Sequence, residues 1–414
     1  MIDGKKHVGI GFATGRTCFL HVLLAYIFHL QESNFLNENR ILLSLYVAYD
    51  PSYRNTTRED YDRLGEDERS LFYACRYIGP EDIQAQAQQL TEEGIIPQEQ
   101  RDTCFGTGYA KQRNIILYQA LKDRVDDMIF LDDDEYPLAV TRTGDTSLWS
   151  GQMVLEEHIK YLQFSDVTNG YHCGYISPLP SFEFDGILDE STFHQFTDAL
   201  SSDILQWPAV CRTMQSGGVN YADKQVLIEH QAKLVEPFHG AKIVTGGNLG
   251  INLTQSQRVL PFYNPPGARG EDSIFSACLS DYTVKSIPVY TFHDGFGFYG
   301  SLLKGVLPTQ LKKISFYDSA AVIERFYRAC IGWIRYKPLF TYLTQPMEFE
   351  QIMKTTRENL MEALPKVCAY FNRRDFGNIL EELDTYVRDV PKHHAELLET
   401  ISRWKRIVEK TILQ

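Results

Sequence analysis

Residues 128–137 read MIFLDDDEYP: four apolar side chains, then three aspartates and a glutamate side by side, then tyrosine and proline. An apolar run without polar alternation marks a short strand buried on both faces. Strands of that kind belong to parallel sheets covered by helices, and the acids fall at the strand's carboxyl end, where open α/β sheets bind ligands. Adjacent carboxylates repel and lose hydration together, so the cluster needs positive charge among them. A divalent cation is the usual source. The competing reading is a solvated acidic turn, against which the position at a strand end speaks.

The first three hundred residues repeat this pattern. HVGIGFAT (7–14) predicts a strand ending in Thr14, Gly15 and Arg16, followed by a helix over about 19–30. RILLSLYVAY (40–49) predicts a second strand, closed by Asp50 and Pro51. Helical patches such as PEDIQAQAQQLTEEG lie in the polar region 51–110, and AKQRNIILYQALKD (110–123) has helical spacing before the strand at 128–131. Further strands are predicted over 166–177, over 242–254 as a strand, a glycine turn and a second apolar run, and over 284–292. This β-α-β order predicts a mostly parallel central sheet flanked by helices. From about residue 310 only amphipathic helices follow, beginning with DSAAVIERFYRACIGWIRY (318–336). The expected division is therefore 1–309 and a helical subdomain, 310–414. Charge agrees with it: the net charge is −13, yet residues from 310 onward carry 17 Lys plus Arg against 14 Asp plus Glu.

With 414 residues, 43% of them hydrophobic, the chain can bury a large core and form two or three domains. Its negative charge argues against a nucleic-acid binder. The eight cysteines lack metal-site or disulfide spacing, and neither an eighteen-residue apolar run nor a secretory signal pattern is present. A cytoplasmic protein without a transmembrane segment is the expectation.

Five motifs carry the chemistry in chain order: Lys111-Gln112-Arg113-Asn114 at a helix start, the acidic tip, Gly246-Gly247-Asn248, RGEDSIF (269–275) and FHDGFGFY (292–299). Their succession, over roughly residues 7–300, resembles the GT-A-fold nucleotide-sugar glycosyltransferases, especially the family 2 type. The resemblance implies a Rossmann-like domain with a nucleotide-sugar half at about 1–140 and an acceptor half at about 141–309. It implies further that Asp132-x-Asp134 is a DxD motif, with Asp134 a direct ligand of Mn²⁺ or Mg²⁺ and Asp132 facing the ribose or a metal-bound water. Asp133, on the opposite side of an extended segment, is expected to matter less. His293 matches the family's late metal-binding histidine, and imidazole suits manganese; the plain alternative is a histidine hydrogen-bonded in a loop. Asp272 is the expected base for the acceptor hydroxyl, with Glu271 orienting the acceptor, although acids are also favoured at a helix N-terminus.

By the same resemblance Thr14, Arg16 and Asp50 meet the nucleoside, Lys111 and Arg113 the diphosphate or sugar, and Asn248 the sugar or acceptor. Gly246 and Gly247 allow close backbone approach. The expected activity is metal-dependent transfer of a sugar from a nucleotide sugar, UDP-sugar favoured, to a hydroxyl acceptor such as a glycan, glycoconjugate or modified nucleic acid, with inversion favoured and retention left open. YDPSYRN stands where the family has an acidic-glycine stretch, which leaves the base preference open. Alternatives are a non-catalytic nucleotide- or glycan-binding scaffold and a sugar nucleotidyltransferase, whose lysine-bearing loop is missing after the first strand. A phosphohydrolase needs Thr or Val after Asp-x-Asp, where this chain has Glu135 and Tyr136. Finally, Arg325, Arg328, Arg335 and Lys337, interleaved with aromatics, form either a packed helix face or a contact with an anionic acceptor or peripheral membrane surface.

Overall fold

The computed structural model describes residues 4–413 apart from 177, 201–205 and 300–306. The last residue of the strand expected at 166–177 thus lies outside the described residues. In chain order the strands are β1 (Lys6–Thr14), β2 (Ile41–Tyr49), β3 (Ala74–Ile78), β4 (Asp127–Phe130), β5 (Glu135–Tyr136), β6 (Leu138–Thr143), β7 (Thr146–Gly151), β8 (Val167–Gly174), β9 (Lys233–Leu234), β10 (Leu249–Asn252) and β11 (Val284–His293). Interspersed are α1 (Phe19–Ser33), α2 (Phe35–Glu38), α3 (Glu66–Ser70), α4 (Pro80–Glu92), α5 (Tyr109–Lys122), α6 (Val154–Leu162), α7 (Glu190–Leu200), α8 (Trp207–Gln215), α9 (Lys224–Glu229) and α10 (Glu271–Ala277). Four long or medium helices close the chain: α11 (Ala320–Thr344), α12 (Phe349–Tyr370), α13 (Asn378–Arg388) and α14 (Val390–Leu413).

The pattern of β1 shows how the layers form. Val8, Ile10 and Phe12 pack with α1 residues such as Phe19 and Leu23 on one face. Gly9 and Gly11 lie on the other, where a Cβ at Gly9 would meet the Met128 sulfur at 2.7 Å and one at Gly11 would meet Ile116 of α5 at 3.0 Å. The glycines therefore make room for the neighbouring strand's large side chains and the covering helix.

The sheet order is β3-β2-β1-β4-β10-β8-β11-β5, with β9 also on β11 and β6–β7 a separate hairpin. The strands β3, β2, β1 and β4 are mutually parallel, β10 runs antiparallel between β4 and β8, and β8 and β11 are again parallel. This is a mixed α/β fold with a mostly parallel sheet. The chain moves from β1 outward to β2 and β3, then returns to the other side of β1 with β4. Between the carboxyl ends of β1 and β4 the order of winding reverses, and ligands bind at such switch points.

One expectation is corrected. Residues 242–245 form no strand; only Leu249–Asn252 does, because the Gly-Gly-Asn turn feeds a single antiparallel strand. The helices of the expected 310–414 subdomain pack on the rest of the chain. Phe326, Leu360 and Phe371 share a core with Phe193 and Phe196 of α7, and Trp404 of α14, fully buried, donates from Nε1 to the Val259 carbonyl at 2.8 Å. Among the described residues no helix is long and apolar enough to cross a membrane.

Candidate active site at the carboxyl edge of the sheet

After β4 the chain crosses the carboxyl edge of the sheet. Residues 131–134 span the N-terminal end of β10, and β5 then pairs antiparallel with the end of β11, so that Glu135 sits opposite His293 and Tyr136 opposite Phe292. This two-residue pairing brings the acidic tip to a histidine more than 150 residues later in the chain.

Each acid of the tip has its own cation. Asp132 Oδ1 accepts from Arg113 Nη2 at 3.0 Å. Asp133 is buried and accepts from Thr14 Oγ1 and from Arg16, whose Nε lies 3.0 Å from its Oδ2. Asp134 Oδ2 accepts from the same Arg16 at 2.9 Å, and its Oδ1 lies 3.2 Å from His293 Nε2. Glu135 pairs with His172 at 3.0 Å and accepts from Thr291 Oγ1 at 2.8 Å. The question raised by the sequence thus has a direct answer: two arginines and two histidines neutralise the cluster from within the protein.

The pairing sets the protonation. Burial would raise the Asp134 pKa, but His293 and Arg16 hold it well below the usual carboxylate range. Burial lowers that of His293, yet Asp134 and then Glu135 outweigh it, so it rises to about 9. Asp132 is pushed up to about 7 by burial among its acidic neighbours, against the pull of Arg113. The surrounding protein mass coexists with local openness, for the Asp132 side chain is 38% exposed, against 14% for Asp134 and 4% for Asp133. Asp132 and Asp134 line the surface of the edge; Asp133 lies beneath it.

Asp133, expected to matter less, has a structural part. Its side chain does point the other way, but inward, where it ties the ends of β1 and β4 together across the switch point. Asp132, expected near the metal, is held by Arg113 while Asp134 alone pairs with His293.

The glycine turn packs directly under the tip. A Cβ on Gly247 would strike Asp132 Oδ2 at 2.8 Å and Glu135 Oε2 at 2.9 Å, and one on Gly246 would strike Arg113 Nη2 at 2.8 Å. The close approach expected of these glycines is therefore to the tip itself. Arg113, fully enclosed, also donates from Nη1 to the Gly246 carbonyl at 2.7 Å and lies over the rings of Phe130 and Phe262. Its Nε stands 3.6 Å from Glu271. Asp272 accepts from the backbone N–H of Gly246 at 3.0 Å and of Ser273 at 2.9 Å. Arg113 and Asp272 thereby lock the glycine turn, the tip and the start of α10 into one unit.

Two candidates are placed elsewhere, and Asp50 stays at the edge. Asn248 is fully buried at φ 50°, its amide oxygen facing His158 Nε2 at 2.9 Å and its amide nitrogen donating to the Tyr171 carbonyl. The expected ligand contact is corrected: this side chain anchors the turn to β8 and α6. Lys111 donates to the Asp102 carbonyl at 2.6 Å, holding the loop before α5 rather than the edge. Asp50 stands beside Thr14, its backbone N–H donating to the Thr14 carbonyl at 2.9 Å, while its carboxylate accepts from Ser52.

Sequence reasoning missed His172 and His158. His172 Nε2 lies 2.6 Å from Thr245 Oγ1, so that it joins Glu135 to the glycine turn. Both histidines sit among apolar strand or helix residues, a placement that could have marked them as hydrogen-bonded core groups. His158 is buried between Thr168 and Asn248, and burial pulls its pKa down to about 4 despite the Asn248 hydrogen bond. Below its unfolded value of about 6.5 the unfolded chain takes up the proton first. Unfolding free energy is therefore expected to fall by up to about 1.4 kcal/mol per pH unit between about pH 6.5 and 4 from this residue. Denaturant titrations across that range should show a shallower fall in His158→Gln than in the natural protein.

Whether the edge suits a divalent cation is tested by His293. Its Nδ1 faces the Tyr175 carbonyl at 2.8 Å, and since a carbonyl only accepts, Nδ1 carries a proton and Nε2 is aimed at Asp134. Metal-ligating histidines are oriented by this kind of second contact. Among the described residues no group of three or more His, Cys, Asp or Glu side chains is arranged to hold a metal. Asp134 and His293 form a two-donor set, which suits an ion that completes its shell with substrate phosphates and water.

No family model matches the chain, and no curated protein does. Among solved structures, mouse xyloside xylosyltransferase 1 in its apo form aligns at 16% identity and a TM-score of 0.21, covering 47% of this chain and 58% of that one. At that TM-score the likeness to a glycosyltransferase is coarse.

Proposed function

We propose that the chain is a metal-assisted glycosyltransferase acting on a nucleotide-sugar donor, UDP-sugar favoured, and a hydroxyl acceptor. The observation that carries this reading is the Asp134–His293 pair, set beside Arg16 at the switch point of a mostly parallel sheet. Asp134 and His293 would hold the ion. A bound Mn²⁺ or Mg²⁺ supplies Lewis-acid stabilisation to a leaving diphosphate.

The chain's own residues do the rest. Arg16, fixed by Asp133, contributes a positive charge that needs no rearrangement during reaction. The Tyr175 carbonyl keeps Nε2 of His293 directed at Asp134. Of the two acids at α10, Asp272 has both oxygens engaged by backbone N–H groups, one of them at the glycine turn. We therefore assign it to positioning the glycine turn, and assign Glu271 to accepting the proton of the acceptor hydroxyl as that oxygen attacks the anomeric carbon. A single displacement of this kind inverts the configuration.

A second reading has one observation in its favour. Because Arg16, Arg113, His172 and His293 already neutralise the tip, the edge also suits a nucleotide-binding scaffold without turnover. Thermal melting against a panel of nucleotide sugars decides between them. A Mn²⁺-dependent rise with a UDP-sugar, together with about a 100-fold or greater loss of transfer in Glu271→Gln at unchanged donor affinity, is the expected result. Metal-independent binding without turnover gives the scaffold reading, and the absence of any shift with the common nucleotide sugars removes the donor assignment.

A further inference from the structure

The basic residues of α11 divide into two groups. Arg328 pairs with Glu324, Arg335 pairs with Glu382 at 2.7 and 2.6 Å, and the buried Lys337 donates to the Ala199 carbonyl at 2.8 Å. Each of these three thus has a partner within the protein, as the packed-face alternative would have it. Arg325 differs. It is half-buried, and among the described residues it makes no ion pair. Its guanidinium lies over the ring of Phe296 at 4.3 Å. Its Nη2 also lies against Gly295, where an added Cβ would strike it and would stand 2.9 Å from Cε1 of His293. The guanidinium and the imidazole therefore flank the same glycine.

A second arginine approaches along the same helix. Gly332 lies seven residues beyond Arg325, two turns further on the same face of α11. The stem of Arg269 packs there, its Cδ 3.4 Å from where a Gly332 Cβ would stand. Arg269 is exposed, makes no ion pair among the described residues, and directly precedes Gly270, the N-cap of the helix that carries Glu271 and Asp272. Burial, with the like charges of Arg16 and Arg269, pushes the Arg325 pKa below the ordinary arginine value against the pull of Asp134 and Asp294. Two arginines that make no ion pair among the described residues, one of them desolvated, form an arrangement that an oxyanion relieves, and the planar fork suits phosphate or carboxylate.

We propose that Arg325 and Arg269 form an oxyanion site for an acidic group, phosphate or carboxylate, carried by the acceptor. The proposal rests on the glycosyltransferase reading for its word "acceptor", and on the geometry alone for the site. Arg16 serves the donor side, tied to the tip between β1 and β4. Arg269 directly precedes the N-cap of α10, and the Arg325 guanidinium lies against Gly295, two residues beyond the end of β11, so on the proposed reading an acidic group held by them brings a neighbouring hydroxyl toward Glu271. The C-terminal helices thus contribute directly to substrate selection.

Calorimetric titration of inorganic phosphate into the full chain at low salt tests this. The natural protein is expected to bind phosphate, Arg325→Gln and Arg269→Gln to bind it about tenfold or more weakly, and Arg325→Lys to retain part of the affinity. Melting points of all variants are measured alongside; should Arg325→Gln be misfolded, the exposed Arg269→Gln carries the test. Repeating the titration with saturating UDP and Mn²⁺ separates the two sources of the anion: phosphate that still binds supports an acceptor site. Phosphate displaced by UDP assigns the position to the donor's diphosphate and overturns the proposal, as does equal affinity in the natural protein and both glutamine variants. Arginine-dependent phosphate binding in a protein that does not take UDP leaves the oxyanion site standing while the donor reading falls.

Discussion

Asp134→Asn is expected to reduce sugar transfer at least about 100-fold, with the chain still folded. The carboxylate is held ionised by His293 and Arg16, and on the proposed reading it supplies the charged oxygen of the two-donor set. Asparagine keeps the shape and accepts from Arg16, but it removes the negative charge that draws a divalent ion and orients His293. Donor-dependent turnover and Mn²⁺ affinity, measured together, check this. Asp133→Asn provides the contrast: its partners are Thr14 and Arg16 beneath the surface, so stability is expected to drop more than donor affinity. If Asp134→Asn turns over at the natural rate, the assignment of the tip as a metal-assisted centre fails.

Arg113→Met is expected to lower the unfolding free energy by about 3 kcal/mol. The guanidinium is almost wholly buried, and it links three separate parts of the chain: Asp132 after β4, the Gly246 carbonyl before β10 and Glu271 at α10. Methionine fills much of the same space between Phe130 and Phe262, so the loss measures charge and hydrogen bonding more than volume. Asp132, already pushed up to about 7 with Arg113 present, then takes up a proton near neutrality, which limits the penalty. Urea denaturation at pH 6 and 8 checks both statements, since the variant should be more destabilised at the higher pH. A change within about 0.5 kcal/mol of the natural protein would contradict the linking role.

Much of the sheet was legible because β1, β2, β4 and β11 are long or unbroken apolar runs, each ending in a polar or glycine signal. Strands that borrow their apolar partners escaped. β5 and β9 have two residues each, too few for any period, and β3 carries Arg76 at an edge. The turn at 246–248 was recognised, but its glycines answer to Asp132, Glu135 and Arg113 rather than to a ligand, and Asn248 turns inward. Sequence spacing cannot distinguish a backbone brought close to a ligand from one brought close to a side chain.

The acidic tip was evident in the sequence, since four adjacent carboxylates after a buried strand demand positive charge whatever the fold. Which positive charge supplies it was a tertiary decision. The two-residue pairing of β5 with β11 sets Glu135 against His293, and the β1–β4 alignment sets Thr14 and Arg16 against Asp133. Local sequence determines which segments must be buried and where charge accumulates, because those depend on neighbouring side chains alone. Partners separated by 19 to 159 residues, such as Arg113 with Asp132 and His293 with Asp134, are chosen only when sheet order and register bring them within hydrogen-bond reach.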